Sequence, residues 1–383
     1  MLELSLVESM AQVGRDRWAE LEGPERYPFL SYEFLSALEE TGCLGADRGW
    51  IPRHIVIRHG AEIWAVAPAY IKLHSFGEFV FDQAWAEFSE RRMGLRYYPK
   101  LVVCAPFTPA TGPRLLFLRG LDQKDRSRVF EVFKEGVPHL TAEAGLSSAH
   151  VLFVDVVGAE ELTGSSWTER LGVQLQFQSG DYGDFDGFLA SFSSKKRAQI
   201  RRERRAVESA GITISIDTGP RIRPMDADLA YRLYLSTVDK FVWGRRYLTP
   251  AFFERVMRTM PSQIHFVLAR DLQGDVLGGA FNLLGEDALY GRYWGSFREV
   301  PFLHFNVCLY QGIEECLRRG LTRFEPGAGG AHKQGRGFLP TLTRSMHHIQ
   351  DPGLELAIRD FCNREAEALR EEVLGGSSSS IGG

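Results

Sequence analysis

The chain lacks most of the features that assign a function at sight. No hydrophobic run approaches the roughly 18 apolar residues of a membrane-spanning helix. Residues 1–20 set Glu3, Glu8, Arg15, Asp16 and Arg17 among their apolar positions, so no secretory leader is expected there. Cysteine is scarce: Cys43, Cys104, Cys308, Cys316 and Cys362 are scattered, odd in number and without C-x-x-C spacing. That suits free thiols in a reducing cytoplasm better than a disulfide framework or a zinc site, with Cys308 and Cys316 as small core residues. The formal net charge of −4 gives no bulk attraction to nucleic acid, though a local basic patch remains compatible with it. There is no G-x-S-x-G elbow, no phosphate-binding P-loop, no H-E-x-x-H and no sustained metal-ligand spacing. No metal and no permanently bound cofactor are expected. What these absences favour is a transfer reaction run by positioning and hydrogen bonding.

What is present is ordinary globular material, 44% hydrophobic and 25% charged over 383 residues, long enough for two domains. The patterning alternates between strands and helices, which makes the fold class α/β. Two cycles of it resemble each other. In the first, a helix over 31–41 precedes a hairpin turning at Gly60, then a helix over 79–93 closed by Gly94. In the second, a helix over 250–260 precedes a hairpin turning at Gly274, then a helix over 305–319 closed by Gly320. The expected division is an N-terminal domain over 1–180, a C-terminal domain over 181–374 and a disordered tail over 375–383, each domain a mixed sheet flanked by helices. A short helix is expected over Trp167–Gly172.

The chemistry concentrates after the second cycle. Gly327, Gly329, Gly330, Gly335 and Gly337 fall within eleven residues, interleaved with Glu325, His332, Lys333 and Arg336. Glycine admits positive φ and close backbone approach, so this loop fits an anionic or acyl ligand. His304, which opens the preceding helix, and His332 are both candidate general bases, with Glu325 orienting substrate or accepting its ammonium. Lys333 and Arg336 are the candidate holders of phosphate or carboxylate. On the strand 288–294, alternation puts Tyr290, Arg292 and Trp294 on one face as pocket walls. Trp243 and Arg245, between two helices, are a further aromatic-plus-cation wall.

Residues 195–205 carry seven Lys or Arg against the one acid Glu203. On a helix, Lys195, Lys196, Arg197 and Arg201 surround more than one face, which suits contact with phosphates. In the first cycle, Lys72, His74, Glu78, Tyr97 and Lys100 form an analogous polar cluster.

Several separated motifs, in order, carry a family resemblance. They are Tyr27-Pro28-Phe29-Leu30-Ser31-Tyr32-Glu33-Phe34-Leu35, Tyr97-Tyr98-Pro99-Lys100-Leu101, Pro106-Phe107-Thr108-Pro109, Leu289-Tyr290-Gly291-Arg292-Tyr293-Trp294-Gly295 and His332-Lys333-Gln334-Gly335-Arg336-Gly337-Phe338. The chain resembles the FemAB-like group of N-acyltransferases, within the GNAT (N-acetyltransferase) superfamily. The resemblance implies two tandem GNAT-like domains and transfer of an acyl or aminoacyl group from an activated donor, aminoacyl-tRNA or acyl-CoA, to an amine. Better-studied Fem relatives use aminoacyl-tRNA, which makes tRNA a possible partner. The alternative is a non-catalytic tRNA- or precursor-binding protein that keeps the fold. Members often carry Gln-Gly-Glu before His-Lys, where this chain has Gly329-Gly330-Ala331. The usual acyl-CoA loop of GNAT enzymes has no clear counterpart.

Overall fold

The computed structural model describes residues 1–21, 27–164, 166–240 and 244–379, and the chain divides into two units, 1–173 with 342–372 and 174–341 with the residues from 373 on. The first unit contributes β1 (Leu2–Val7), β2 (Trp50–Pro52), β3 (His54–His59), β4 (Glu62–Ala67), β5 (Ala69–Lys72), β6 (Lys100–Val103), β7 (Leu116–Phe117) and β8 (Ser148–Val154). Its helix α1 (Tyr32–Glu40) starts where expected, because the Ser31 side chain accepts a hydrogen bond from the Phe34 N–H. Strands β1, β3, β4 and β7 form one small sheet, with Gly60 at φ 61° turning β3 into β4. In a second sheet β5 lies antiparallel to β6, while β6 runs parallel to β8. A parallel pair needs a long crossover, and α2 (Gln123–Glu143) supplies it. Val129, Phe130, Phe133 and Val137 of α2 pack into one core with Leu101, Val103, Ala149 and Val151 of those two strands. At about 1.5–3 kcal/mol per buried side chain, this face outweighs the poor intrinsic helicity of a segment with Pro138 inside it.

β9 (Thr168–Gln178) leads into the second unit, whose strands are β10 (Thr213–Asp217), β11 (Ile264–Arg270), β12 (Val276–Leu284), β13 (Ala288–Ser296) and β14 (Arg323–Glu325). The order is β10-β11-β12-β13-β14-β9, antiparallel from β10 to β13, with β13 parallel to β14. Helices α3 (Ser194–Ser209), α4 (Asp226–Val238) and α5 (Pro250–Thr259) precede or flank these strands. The crossover from β13 to β14 is one helical stretch in three parts: a turn over Leu303–Phe305, a π segment over Asn306–Tyr310 and α6 (Gln311–Arg319). Leu309, Tyr310, Ile313 and Cys316 of that stretch pack with Leu284, Leu289 and Phe324 of the sheet. β15 (Leu339–Ile349) crosses the boundary at 341/342 and pairs antiparallel with β8 through residues 344–349. The last helix, α7 (Pro352–Ser379), packs Leu354, Ile358 and Cys362 against Trp85 and Tyr97 in the first unit. Among the described residues, no helix is long and apolar enough to cross a membrane.

The structure corrects the expected layout in several places. Residues 342–372 belong to the first unit, because β15 completes its ladder on β8 there. The helix expected over Trp167–Gly172 is the start of the eleven-residue β9, tertiary pairing having overridden local pattern. Residues 375–379, expected in a disordered tail, continue α7; residues 380–383 lie outside the described residues. The repeat itself is present with a different anchor. The counterpart of the 303–319 crossover is α2, since each links two parallel strands. The 79–93 segment, by contrast, is helical over Gln83–Phe88 and a π turn over Ser89–Met93, and it joins β5 to its antiparallel neighbour β6. A glycine stop marks both helices, and that shared local signal suggested the false correspondence.

Candidate functional site

β13 and β14 pair only as far as Tyr290 opposite Glu325, and β13 then continues to Ser296 paired with β12. Past that point the chain leaves β14 through Pro326, whose backbone crosses Gly291 so closely that a side-chain carbon there would stand 3.1 Å from it. The loop then turns through Gly327, Gly329 and Gly330, all in the left-handed region (φ 88°, 72° and 88°), into a 3-10 turn over Ala331–Arg336 that ends at Gly337, φ 88°. The glycines therefore sit where L side chains are strained, as expected.

This loop brings three candidate residues together. The His304 and His332 rings lie 5.3 Å apart, centre to centre, and Trp294 stands 5.2 Å from His304. Phe305 lies 5.5 Å from His332. Exposure falls stepwise, with His332 exposed, His304 half-buried and Lys333 buried. His304 begins its helix behind Phe302, a non-glycine residue at φ 62°, and ahead of the π segment. Backbone strain and π turns of this kind persist where the surroundings over-determine them, commonly at functional sites.

The electrostatics follow from burial without counter-charge. Burial, and after it His332, Lys333 and Arg336, push the His304 pKa down to about 4, so that ring is neutral at physiological pH. His332 is lowered by burial, Lys333 and Arg336. Lys333 donates to the carbonyl of Gly327 at 2.7 Å and of Pro326 at 3.5 Å. Carbonyl dipoles replace only part of its hydration, and burial brings its pKa down to about 8.

Arg336 has a different position from the one expected. Its guanidinium is buried and holds Glu203 through two hydrogen bonds, 2.7 Å to Oε1 and 3.0 Å to Oε2. It also donates to the Tyr310 hydroxyl (3.1 Å) and the His332 carbonyl (2.8 Å), and stacks 3.4 Å over the Phe305 ring. Tyr310 donates to Glu203 as well. Burial would raise the Glu203 pKa, but Arg336, Tyr310 and Gln199 hold it below the usual range. Arg336 thus fixes the glycine-rich loop to α3 and to the π segment, and its donors are engaged by the protein rather than turned toward a phosphate. Glu203 of the basic helix is the residue that sequence reasoning missed; its i, i+3, i+7 place in the buried stripe Ile200–Glu203–Val207 was the available signal.

The other candidates separate. Glu325 is buried and pairs with Arg323 at 3.2 Å, which also reaches Asp287 (2.8 Å) and the Tyr290 hydroxyl (3.0 Å). The expected alignment of Tyr290, Arg292 and Trp294 fails at a β-bulge. Asn282 pairs with Gly291 and Phe281 with Tyr293, so Arg292 is the extra residue. An extra residue reverses alternation beyond it. Trp294 consequently shares the face of Gly291 and meets His304, while Tyr290 shares the face of Tyr293. The Arg292 guanidinium lies 5.4 Å from the Tyr293 ring. Arg245 is exposed, and its carbonyl accepts from Tyr234, which packs 5.2 Å from Tyr293, on the face opposite Trp294. Trp243 lies outside the described residues.

On α3, Lys196 approaches Gly335: a side-chain carbon at Gly335 would stand 2.8 Å from its Nζ. Burial and then Arg336 lower the Lys196 pKa. Arg197 caps the short helix Phe185–Ala190, donating to the carbonyls of Phe192 (2.5 Å) and Ala190 (3.3 Å). Lys195, Arg201, Arg202 and Arg205 face solvent. In the first unit the polar cluster is real: Lys100 donates to Ser75 (2.9 Å), Glu78 (2.8 Å) and Asp82 (2.5 Å), and Tyr97 donates to Asp82 (2.7 Å). Lys72 lies 3.9 Å from Glu78, with His74 3.5 Å away. No group of three or more His, Cys, Asp or Glu that could hold a metal occurs among the described residues.

The fold is that of tandem GNAT-like domains, each unit carrying one parallel strand–helix–strand crossover. Within that class the chain belongs to the FemAB-like family, described as one of peptidoglycan biosynthesis and recognition, which it matches over residues 9–378. Its fold is similar to the crystal structure of FemX (12% identity, 93% of this chain and 100% of that one covered, TM-score 0.53). It is also similar to a conserved protein of unknown function from Bacteroides thetaiotaomicron (11% identity, 91% and 100% covered, TM-score 0.51). L-PGS from Bacillus licheniformis aligns at 11% identity over 85% and 94% of the two chains, TM-score 0.46. At these identities the likeness is one of fold. No curated protein matches the sequence.

Proposed function

We propose that the protein transfers an acyl or aminoacyl group from an activated donor, aminoacyl-tRNA or acyl-CoA, to an amine, in the second unit around His304, His332 and Lys333. The observation that carries this reading is the meeting of two imidazoles and a buried lysine, held by carbonyls rather than by a carboxylate, at the mouth of a glycine-rich loop. FemAB-like membership supports the reaction class. In such a transfer the neutral amine nitrogen attacks the donor carbonyl carbon, the oxygen gains negative charge, and the nitrogen must lose a proton as the ester or thioester bond breaks. Neutral His304 or His332 accepts that proton, and the leaving oxygen or sulfur takes one in turn. Lys333, held by two carbonyls in a water-poor position, donates to the developing oxyanion. Trp294 and Phe305 wall the acyl group. Glu325 and Arg336 act through Arg323 and Glu203, by positioning.

The test is product formation from charged tRNA and from acetyl-CoA with a panel of amines, read by mass spectrometry. Lys333→Met is expected to lower kcat about 10²–10³-fold, the usual cost of removing one oxyanion donor. An unchanged rate refutes the assignment.

A second reading rests on the four exposed cations of α3, Lys195, Arg201, Arg202 and Arg205: a tRNA- or precursor-binding protein without turnover. It predicts salt-sensitive tRNA binding and no amide product from either donor.

A further inference from the structure

Burying ionisable groups is expensive unless each is paired, and the sheet of the first unit carries a row of them on one face. Lys72 of β5 stands directly across from Lys100 of β6, and Val102, two residues on from Lys100, stands across from Tyr70 of β5 and His150 of β8. His347 of β15 is across from His150, the two Nδ1 atoms 2.6 Å apart. The alternate residues Leu101, Val103, Ala149, Val151 and Met346 fill the apolar core on the other face. Lys72 and Lys100 are both fully buried. An ordinary covered sheet face would be aliphatic.

The chain that covers the two lysines runs from 73 to 82 and brings the carboxylates Glu78 and Asp82, also buried. Every lysine proton there is placed. Lys100 donates to Ser75, Glu78 and Asp82. Lys72 reaches the carbonyls of Gly49 and Phe76, each at 3.3 Å, and His74 at 3.5 Å, and lies 3.7 Å over the Trp50 ring. The oxygens are not all matched: Glu78 Oε1, Asp82 Oδ1 and the Tyr70 hydroxyl are buried and take no hydrogen bond from the protein. Two of these are carboxylate oxygens without a hydrogen-bond donor, so a ligand bringing N–H groups would find acceptors waiting.

The covering segment is strained as well. Phe79 is a non-glycine residue at φ 60°, beside Gly77 at φ 83°. Leu73 and Phe76 of the same segment leave 44% and 42% of their surface exposed, an apolar rim above the buried charges.

We propose that this cluster is a second ligand site, beneath the 73–82 segment, which binds the primary ammonium group of an alkyl-chain amine on Glu78 with the chain against Leu73 and Phe76. The site belongs to the first unit and is independent of the transfer reading above. Its electrostatics agree. Burial raises the Glu78 pKa to about 7 against the pull of Lys100, and lowers that of Lys72 to about 7 against the pull of Glu78. An arriving ammonium gives Glu78 the close counter-charge that Lys72, at 3.9 Å, supplies only weakly.

The Trp50 indole N–H donates to the Phe76 carbonyl (3.2 Å), so its NMR resonance, assigned with Trp50→Phe, reports on the covering segment. The full-length protein is titrated with n-pentylamine and, separately, with pentanoate. The expected result is a saturable shift of that resonance with pentylamine and none with pentanoate. Glu78→Gln should weaken the pentylamine titration about tenfold or more, the usual worth of a charged hydrogen bond, while His332→Ala leaves it unchanged. A saturable response to pentanoate, no response to pentylamine, or equal affinity in wild type and Glu78→Gln each overturns the proposal. If Glu78→Gln does not fold, the comparison of the two ligands on the wild-type protein still decides it.

Discussion

The two units bury lysines under opposite conditions, and the comparison shows what sets a buried charge. Lys100, in the first unit, is fully shielded from water, and burial pulls its pKa down. Glu78 and Asp82 more than offset this and hold its pKa above the ordinary lysine value. Lys333, in the second unit, is also buried but has only backbone carbonyls bonded to its ammonium, and its pKa falls to about 8. Lys72 falls between in its surroundings, with a carboxylate 3.9 Å away, and drops to about 7. Burial pulls all three down, and only directly bonded carboxylates, as at Lys100, overcome it; one carboxylate 3.9 Å away does not. The first arrangement is rigid and self-satisfied at Lys100. The second keeps a lysine whose proton is easily exchanged next to two neutral imidazoles, which is the condition for acid–base work near neutrality.

The largest expected effect lies in the first unit. Lys100→Met strands Asp82 and Glu78 beneath the covering segment, and should destabilise by about 3–5 kcal/mol in urea titration. A change under about 1 kcal/mol would mean that the carboxylates are solvated and the contrast is false. Next comes Glu203→Gln, which leaves Arg336 buried with a weaker acceptor. About 1–3 kcal/mol is expected, with faster amide exchange confined to 326–338 and α3. Exchange that rises instead across the first unit would break the assignment of this pair to the glycine-rich loop.

The pH profile sharpens the comparison. His304 and His265 are held down to about 4 and His347 to about 3, each chiefly by burial, and burial also lowers His150. The unfolded chain binds these protons first, so stability falls as pH drops from about 6.5 toward 4. At the alkaline end Lys333 and Lys72 are lowered from 10.5. Below their folded pKa values they cost stability in full. That cost is relieved as pH rises from about 7–8 to 10.5, so their contribution increases with pH there. Thermal melts of Lys333→Met and Lys72→Met should each show a shallower rise, and an unchanged slope contradicts the assigned environments. The smallest effect is at the surface. Arg201→Gln with Arg205→Gln should change stability by no more than about 0.5 kcal/mol. It should lower the salt dependence of tRNA binding by roughly 0.7–0.9 for each phosphate no longer neutralised.

Much of this fold was readable from patterning. The β11–β12 hairpin, α1 with its Ser31 cap, α5 and the doubled α/β plan all follow from local period and turn chemistry. Gly327, Gly329, Gly330 and Gly337 of the loop announced their positive φ. What patterning could not show was anything set by pairing. The bulge at Arg292 reverses a face without altering composition, so Tyr290 and Trp294 separate. The helix expected over Trp167–Gly172 yields to β9, and residues 342–372 return to the first unit, because ladders join residues far apart in the chain. At the site, His304, His332 and Lys333 were legible as residue types. Glu203 was hidden as one acid among seven cations, and its role exists only because Arg336, 133 residues later, reaches it.

The most direct test of the proposed chemistry is single-turnover transfer from charged tRNA or acetyl-CoA to an amine, comparing wild type with Lys333→Met at matched folded fraction. Amide product is expected from the wild-type protein, with a drop of about 10²–10³-fold in the variant while its melting profile stays cooperative. Equal product from both proteins, or none from wild type with either donor, would contradict the assignment of Lys333 and its two imidazoles to catalysis.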